Sequence, residues 1–469
     1  MQGIYRIAVV GSGPGGLSAA ARAAAQGISH VLLEAEPHLS NTIYRYQKGK
    51  HVMAEPNVLP LRAPVPFAAG SRESILDAWG QGAAKLKVNV LHGAEVTAIA
   101  GGKGAFELTL ADGRKLGAEH VVLGIGLQGN IRKLGCPGED AEFVQYQLDD
   151  PGEYQGERIV IVGAGDAAIE NALALSARNQ VTIINRRDEF DRAKDANNAA
   201  ILKAIEAGEV QCFYNSGIAE AQPQPGRPRG LLRLNTASGP AEMPCDRIIA
   251  RLGATPPRKF VESCGVKFPN ADPAAVPAVS ATYESNVPGL YIIGALAGFP
   301  LIKQAMNQGH EVVEFIEGRS CEPADEPLLQ KKFAALPRWG AVNAALERIR
   351  SRVPVLAPLT PLQLREFLLD SELRTPKPGE MIFALNDYSN TFFSIVEGEV
   401  KIELDAGKSV SLGAGDFFGE MSLISGRRRS ATVRAGEGCV LIETPRRSIN
   451  KLINSVAAVK RFFEETFMR

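Results

Sequence analysis

The chain carries two kinds of hydrophobic patterning. Residues 6–11 are a short apolar run, residues 14–26 are Ala-rich with polar positions spaced as on a helix, and "HVLLE" at 30–34 is apolar again. This predicts a strand, a helix and a second strand. The same order returns at 157–176 in "ERIVIVGAGDAAIENALALS" and at 180–190 in "QVTIINRRDEF". After Gly318 the pattern loosens: residues 319–339 carry three prolines and mixed charge, which predicts a linker, and 341–350 predicts a short helix. From residue 355 the period shortens to alternating strands broken by turn residues, in "KPGEMIF", "NTFFSIVEGEVKIEL", "SVSLGAGDFFGE", "SATVRA" and "CVLIETP". A small antiparallel barrel of about eight strands is expected there.

What stands at the junctions of the two strand–helix units adds chemistry. In the first, "GSGPGG" places Gly11, Ser12, Gly13, Pro14, Gly15 and Gly16 between strand and helix, and the second strand ends in Glu34. Gly11, Gly13 and Gly16 satisfy the spacing that lets backbone approach a pyrophosphate at a helix N-terminus, and a carboxylate after the second strand can accept from a ribose diol. The second unit offers Gly163, Gly165, Asp166, Ala167 and Ala168, but its second strand ends in Asn185, Arg186 and Arg187. A carboxylate there would repel a 2'-phosphate, whereas guanidinium groups bind one, so NADPH is the expected coenzyme. The plainer reading of "RRDEFDRAK" is a solvated charge run.

Two dinucleotide folds, the second beginning near residue 157, resemble the low-molecular-weight thioredoxin-reductase-like group of pyridine nucleotide-disulfide oxidoreductases. "VVLGIGLQGNIRKLGCPGED" (121–140) resembles the crossover out of that family's FAD domain, and "DRIIARLGATPP" (246–257) the strand returning to it. "VPGLYIIGALAG" (287–298) resembles the closing FAD motif, with Gly294 and Ala295, and Gln304 and Ala305 begin the helix whose amide end would face the flavin pyrimidine edge. The resemblance implies an α/β chain with an FAD domain in two parts (1–150 and 257–318), an inserted NADPH domain (151–256), a linker (319–350) and a C-terminal domain (351–469). Hydride transfer between nicotinamide and flavin depends on stacking and orientation, so no catalytic side chain is named. The chain departs from the family twice. The CxxC pair expected before the second glycine loop is missing, the region reading "QYQLDDPGEYQGE", and Ala295 stands where an Asp usually bonds the ribitol. Cys136, in the crossover, is read as packing.

The C-terminal order P-G-E-x-I-F, F-x-I-V-x-G-x-V-x-I, G-D-F-F-G-E and R-S-A-T-V resembles the cyclic-nucleotide-binding domain, a jelly-roll-type barrel with flanking helices. The resemblance implies that Glu420 accepts from the ribose 2'-hydroxyl, that Arg429 pairs with the cyclic phosphate, and that Phe418, Gly419, Met421, Ser422, Ser430 and Ala431 complete the cradle. Ser430 favours cAMP over cGMP. Residues 446–469 are the expected lid helices, with no length left within the chain for a helix-turn-helix.

Composition narrows the partners. Lys plus Arg equals Asp plus Glu at 52 each, so no net field steers the chain toward nucleic acid or an anionic membrane. Six cysteines are scattered without CxxC or metal-ligand spacing, and no apolar run is long enough to span a bilayer, so a cytoplasmic protein is expected. The expected function is an FAD-dependent NADPH oxidoreductase without a redox dithiol, passing electrons to an external acceptor under control of a cyclic nucleotide. A ferredoxin-like protein leads the acceptors, before another redox protein, a quinone or a small disulfide, and a homodimer is expected. The alternative is a non-catalytic flavin and cyclic-nucleotide sensor or adaptor.

Overall fold

The structure is a computed structural model that describes residues 4–127, 129–190, 193–388, 391–404, 408–420 and 428–467. The first parallel strand, Tyr5–Val10, is buried from Ile7 onward and lies between two parallel neighbours, His30–Leu33 on one side and Lys115–Leu123 on the other. Leu290–Ile292 pairs with the far half of Lys115–Leu123, which places the closing motif beside the glycine loop. The chain thus leaves the first strand in one direction and returns on its other side, creating the crevice where such sheets bind ligands.

The helix Pro14–Ala25 crosses the helix Ile302–Ile316 at very close range. A Cβ on Gly309 would stand 2.1 Å from the Gly15 carbonyl oxygen and 2.9 Å from the Ala19 nitrogen. Glycine at 309 is what allows the helices to meet. The crossing is closed at its end by Glu314, which accepts from Arg22 and Arg319 at 2.7 Å each.

The second unit repeats the plan. Arg158–Val162 is flanked by parallel strands Gln180–Ile184 and Arg247–Ala250. Its sheet also recruits Val144–Gln145, before the expected start of the domain, because those two residues pair with Ile248 and Ile249. A separate antiparallel sheet of Gly217–Pro223, Gly230–Thr236 and Gly239–Cys245 packs against it.

The C-terminal strands form two four-stranded antiparallel sheets whose apolar faces share one core, including Phe383, Phe393, Val400, Phe418, Val433 and Leu441. The stretch read as a linker is mostly folded: Glu326–Phe333 and Val342–Arg352 are helices. Leu329, Phe333, Trp339, Leu346 and Ile349 bury against Phe392, Val396, Ile442 and Phe463 of the sandwich and its last helix. Glu397 on the sandwich ties these helices down by pairing with Arg338, Arg348 and Arg352. Prolines at 323, 327 and 337 suggested an open strap, but proline at 327 occupies the first turn of a helix, where its missing N–H costs nothing.

Candidate functional site

The loop after Tyr5–Val10 meets the loop after Lys115–Leu123. Gly11 has φ +93, and a Cβ there would stand 2.9 Å from the Gly124 carbonyl oxygen; one on Gly16 would stand 1.9 Å from that of Gly11. These two glycines are required by the protein's own packing. Gly13 is different, because its nearest neighbour would be 3.6 Å from a Cβ, so the protein leaves it open. Beside it lies a cavity of about 430 Å³ lined by Gly11, Ser12, Gly13, Pro14, Gly15, Glu34, Gly294, Ala295 and Ala305. Gly16 and Gln304 do not line it. Gln304 instead borders a smaller cavity of about 50 Å³ between the helix Ile302–Ile316 and the helix Pro361–Asp370.

Glu34 is 6% exposed and held in place. Its carboxylate accepts from Ser12 N at 2.9 Å, from the Ser12 hydroxyl, and from Glu36 N at 2.9 Å. Ser12 is itself fixed by Ser40, whose N donates to the hydroxyl at 2.8 Å. Sequence reasoning missed several wall residues: Glu36, Asn41, Thr42, Tyr46 and Phe299. They lie outside any glycine motif, and Tyr46 carries no local signal at all. Gln308, also missed, stabilises the closing turn by accepting from Gly294 N at 2.8 Å. It supports the turn in which Ala295 replaces the expected acid. The open place at Gly13 and the oriented carboxylate beside the cavity fit a flavin dinucleotide.

The second loop has the same logic. Gly163 has φ +132 and a Cβ there would stand 2.5 Å from the Arg251 carbonyl oxygen, whereas one on Gly165 would meet nothing within 4 Å. Ala168 is fully buried against the strand, so it packs rather than binds. Asp166 accepts from Lys194 N at 2.9 Å and Asn197 Nδ2 at 2.7 Å, and so organises the loop after the second strand. Asn185 is buried and shapes the turn: its Oδ1 accepts from Arg187 N at 3.0 Å and its Nδ2 donates to Glu189 O at 2.9 Å. Arg186 and Arg187 are exposed at its rim.

The two units meet beside the first cavity, which Tyr46 lines. The helix Asp166–Ser176 lies against the segment containing Tyr46, through Lys50–Glu170 at 2.7 Å and Asn171–Gln47 at 2.8 Å, while Lys194–Glu55 closes at 2.5 Å. The Tyr46 phenol is pushed up by burial and by Glu170, with Arg251 opposing. All six cysteines are free thiols, and burial pushes the Cys136 thiol up, away from the thiolate a redox relay needs.

In the C-terminal sandwich a cavity of about 70 Å³ is lined by Phe418, Gly419, Glu420, Arg429, Ser430 and Ala431. Met421 and Ser422 lie outside the described residues. Arg429 is 4% exposed; it donates to the Thr391 carbonyl at 2.7 Å and the Gly419 carbonyl at 3.2 Å, and its guanidinium sits 4.1 Å from the centre of the Phe383 ring. Burial lowers its pKa, opposed by Glu443, Glu420 and Asp387.

Two glycine-loop sheets whose units meet beside the first cavity, with a smaller cavity in the downstream sandwich, define a dinucleotide-binding oxidoreductase fold joined to a ligand-binding sandwich. Residues 5–309 match the family described as pyridine nucleotide-disulphide oxidoreductase, and the chain belongs to that family. Residues 373–456 match the cyclic nucleotide-binding domain, and the chain carries one. It is a flavin-dependent pyridine nucleotide oxidoreductase. The chain is similar to the ferredoxin--NADP reductase of Ignicoccus hospitalis, 29% identical over 307 residues, covering 62% of this chain and 90% of that protein. It is 26% identical over 350 residues to that of Gluconacetobacter diazotrophicus, covering 73% and 97%. Among solved structures, the bacillithiol disulfide reductase of Staphylococcus aureus shares the fold with a TM-score of 0.61 at 19% identity, covering 68% of this chain and 99% of that one. The thioredoxin reductase of Lactococcus lactis does so with a TM-score of 0.57 at 20% identity, covering 67% and 98%. No helix among the described residues is long and apolar enough to cross a membrane.

Proposed function

We propose that the chain uses FAD at the first glycine loop and NADPH at the second, and passes electrons to a ferredoxin-like protein. The observation that carries this is the paired open position: within the two glycine loops, Gly13 and Gly165 are the glycines whose missing side chains the protein itself does not fill. The flavin supplies the step from two-electron hydride chemistry to single-electron delivery. The chain's own part is positional. Glu34 orients a ribose, the N-terminus of Pro14–Ala25 meets a pyrophosphate, and Arg186 and Arg187 receive the 2'-phosphate. The names of the ferredoxin--NADP reductases it is similar to support the acceptor, as does the lack of a CxxC pair in the sequence.

The C-terminal cup would bind a cyclic nucleotide, cAMP before cGMP, with Arg429 on its phosphate and Glu420 on its ribose. A buried guanidinium at the cavity wall is the chemistry a single phosphate charge needs. We also place the enzyme in the cytoplasm as a homodimer.

The test is steady-state electron transfer. Purified protein should be yellow and should reduce a ferredoxin with NADPH faster than it reduces a protein disulfide. A flavin that is reduced once by NADPH and then stalls with ferredoxin, quinone and disulfide acceptors alike would instead indicate a sensor.

A further inference from the structure

The loop that would receive the 2'-phosphate carries carboxylates as well as guanidinium groups. Arg186 and Arg187 are followed at once by Asp188 and Glu189, so two carboxylates stand next to the two guanidinium groups in sequence. One of those carboxylates is engaged from elsewhere in the chain. Arg446, the first residue of the helix Arg446–Ser455 in the C-terminal domain, clasps Glu189 with both ends of its guanidinium, at 2.5 and 3.1 Å. The Arg446 side chain is 11% exposed, against 40% for Glu189.

Each partner is held independently. Glu189 is fixed by the bond from Asn185 Nδ2 to its carbonyl and by the next residue, Phe190, which is buried in the second domain and meets Tyr214 edge-on at 5.9 Å. The Arg446–Ser455 helix is pinned to Pro361–Asp370 by Lys451–Glu366 at 2.7 Å and Ser448–Asp370 at 3.1 Å, with Ile449 fully buried. An arginine in a first helical turn opposes the helix dipole, so helix stability does not account for it.

We propose that Arg446 is a positioning residue for coenzyme choice. By engaging Glu189 it neutralises a carboxylate that would repel the 2'-phosphate. The C-terminal domain thereby sets the preference of the reductase for NADPH over NADH. This rests on the reading that residues 185–187 receive the 2'-phosphate.

The experiment measures kcat/KM for NADPH and for NADH in the full-length holoenzyme. Arg446→Gln should lower the NADPH-to-NADH ratio by about three- to tenfold, the scale of one added repulsion in a partly solvated site. Arg446→Gln combined with Glu189→Gln should restore the ratio to within about twofold of wild type, because the repelling charge is gone. A purely structural role for the pair would change kcat/KM for both coenzymes alike and leave their ratio unmoved, and flavin content with thermal unfolding checks that each variant is folded. An unchanged ratio in Arg446→Gln, or a double variant that stays as poor as the single, overturns the proposal. Arg186→Ala with Arg187→Ala separates the two claims. If that variant keeps the NADPH preference, the 2'-phosphate reading itself fails; if it loses the preference while Arg446→Gln does not, only the role of Arg446 fails.

Discussion

The glycines of the two loops divide by what they face, and substitution should separate them. Gly16 abuts the Gly11 carbonyl so closely that Gly16→Ala has nowhere to place its methyl group, so folding yield should fall. Gly13 has room for a Cβ in the protein but not beside a pyrophosphate. Gly13→Val should therefore fold, retain its far-ultraviolet dichroism and lose visible flavin absorbance; a yellow Gly13→Val would show that the dinucleotide lies elsewhere. In the cup, Arg429→Ala should abolish calorimetric binding of cyclic nucleotide while flavin content stays intact. The motif letters single out these positions because backbone approach and phosphate charge leave few residue types to choose from. They were silent on Tyr46 and Gln308, whose roles come from distant segments meeting.

At the scale of elements, the crossing of Pro14–Ala25 with Ile302–Ile316 carries the first site, because Gly15 lines the cavity while its carbonyl touches Gly309. Gly309→Ala should force the helices apart, cost about 1–3 kcal/mol of stability, and raise the dissociation constant for FAD. Calorimetric unfolding and flavin titration would check both. The ion pairs at Glu314 make the crossing sensitive to acid. The Arg319 guanidinium, with Arg22, holds this carboxyl down at about 2 against the opposing effect of burial. Its folded pKa lies below the unfolded value of about 4.3, so the pairs stabilise fully above that range and are lost as pH falls toward about 2. The stability difference between wild type and Glu314→Gln should shrink over that window, and a constant difference would show that the pairs contribute nothing through ionisation.

At the scale of the molecule, the two halves are not beads on a string. Helices that the proline content disguised as a linker complete the core of the sandwich, so a fragment starting at residue 353 should aggregate or unfold without cooperativity. One starting near residue 320 should unfold as a single transition in calorimetry, since it keeps Leu329 to Ile349 with their partners. The Arg446–Ser455 helix touches both the second dinucleotide domain, through Glu189, and the helix Pro361–Asp370 behind the closing motif. A ligand that changes its position can alter turnover only by binding one arrangement better than another. A cyclic nucleotide should then change NADPH oxidation by about 5- to 150-fold, the ordinary range of coupling. Tight calorimetric binding with unaltered rates would sever the cup from the enzyme.

The sequence by itself determined the two strand–glycine–helix units and the alternation of the C-terminal strands, and it marked the residues proposed to act at each loop, from Gly13 and Glu34 to Arg186 and Arg429. Those features are local: strand and helix periods, positive φ and phosphate approach are written within a few residues of one another. Only the tertiary structure decided that Gln308 supports the turn at Gly294, that Val144–Gln145 joins the second sheet, and that Arg446 reaches Glu189 across 257 positions of chain. Contacts of that kind depend on how whole domains pack, and a charge or an amide carries no mark of its partner until the chain has brought the two together.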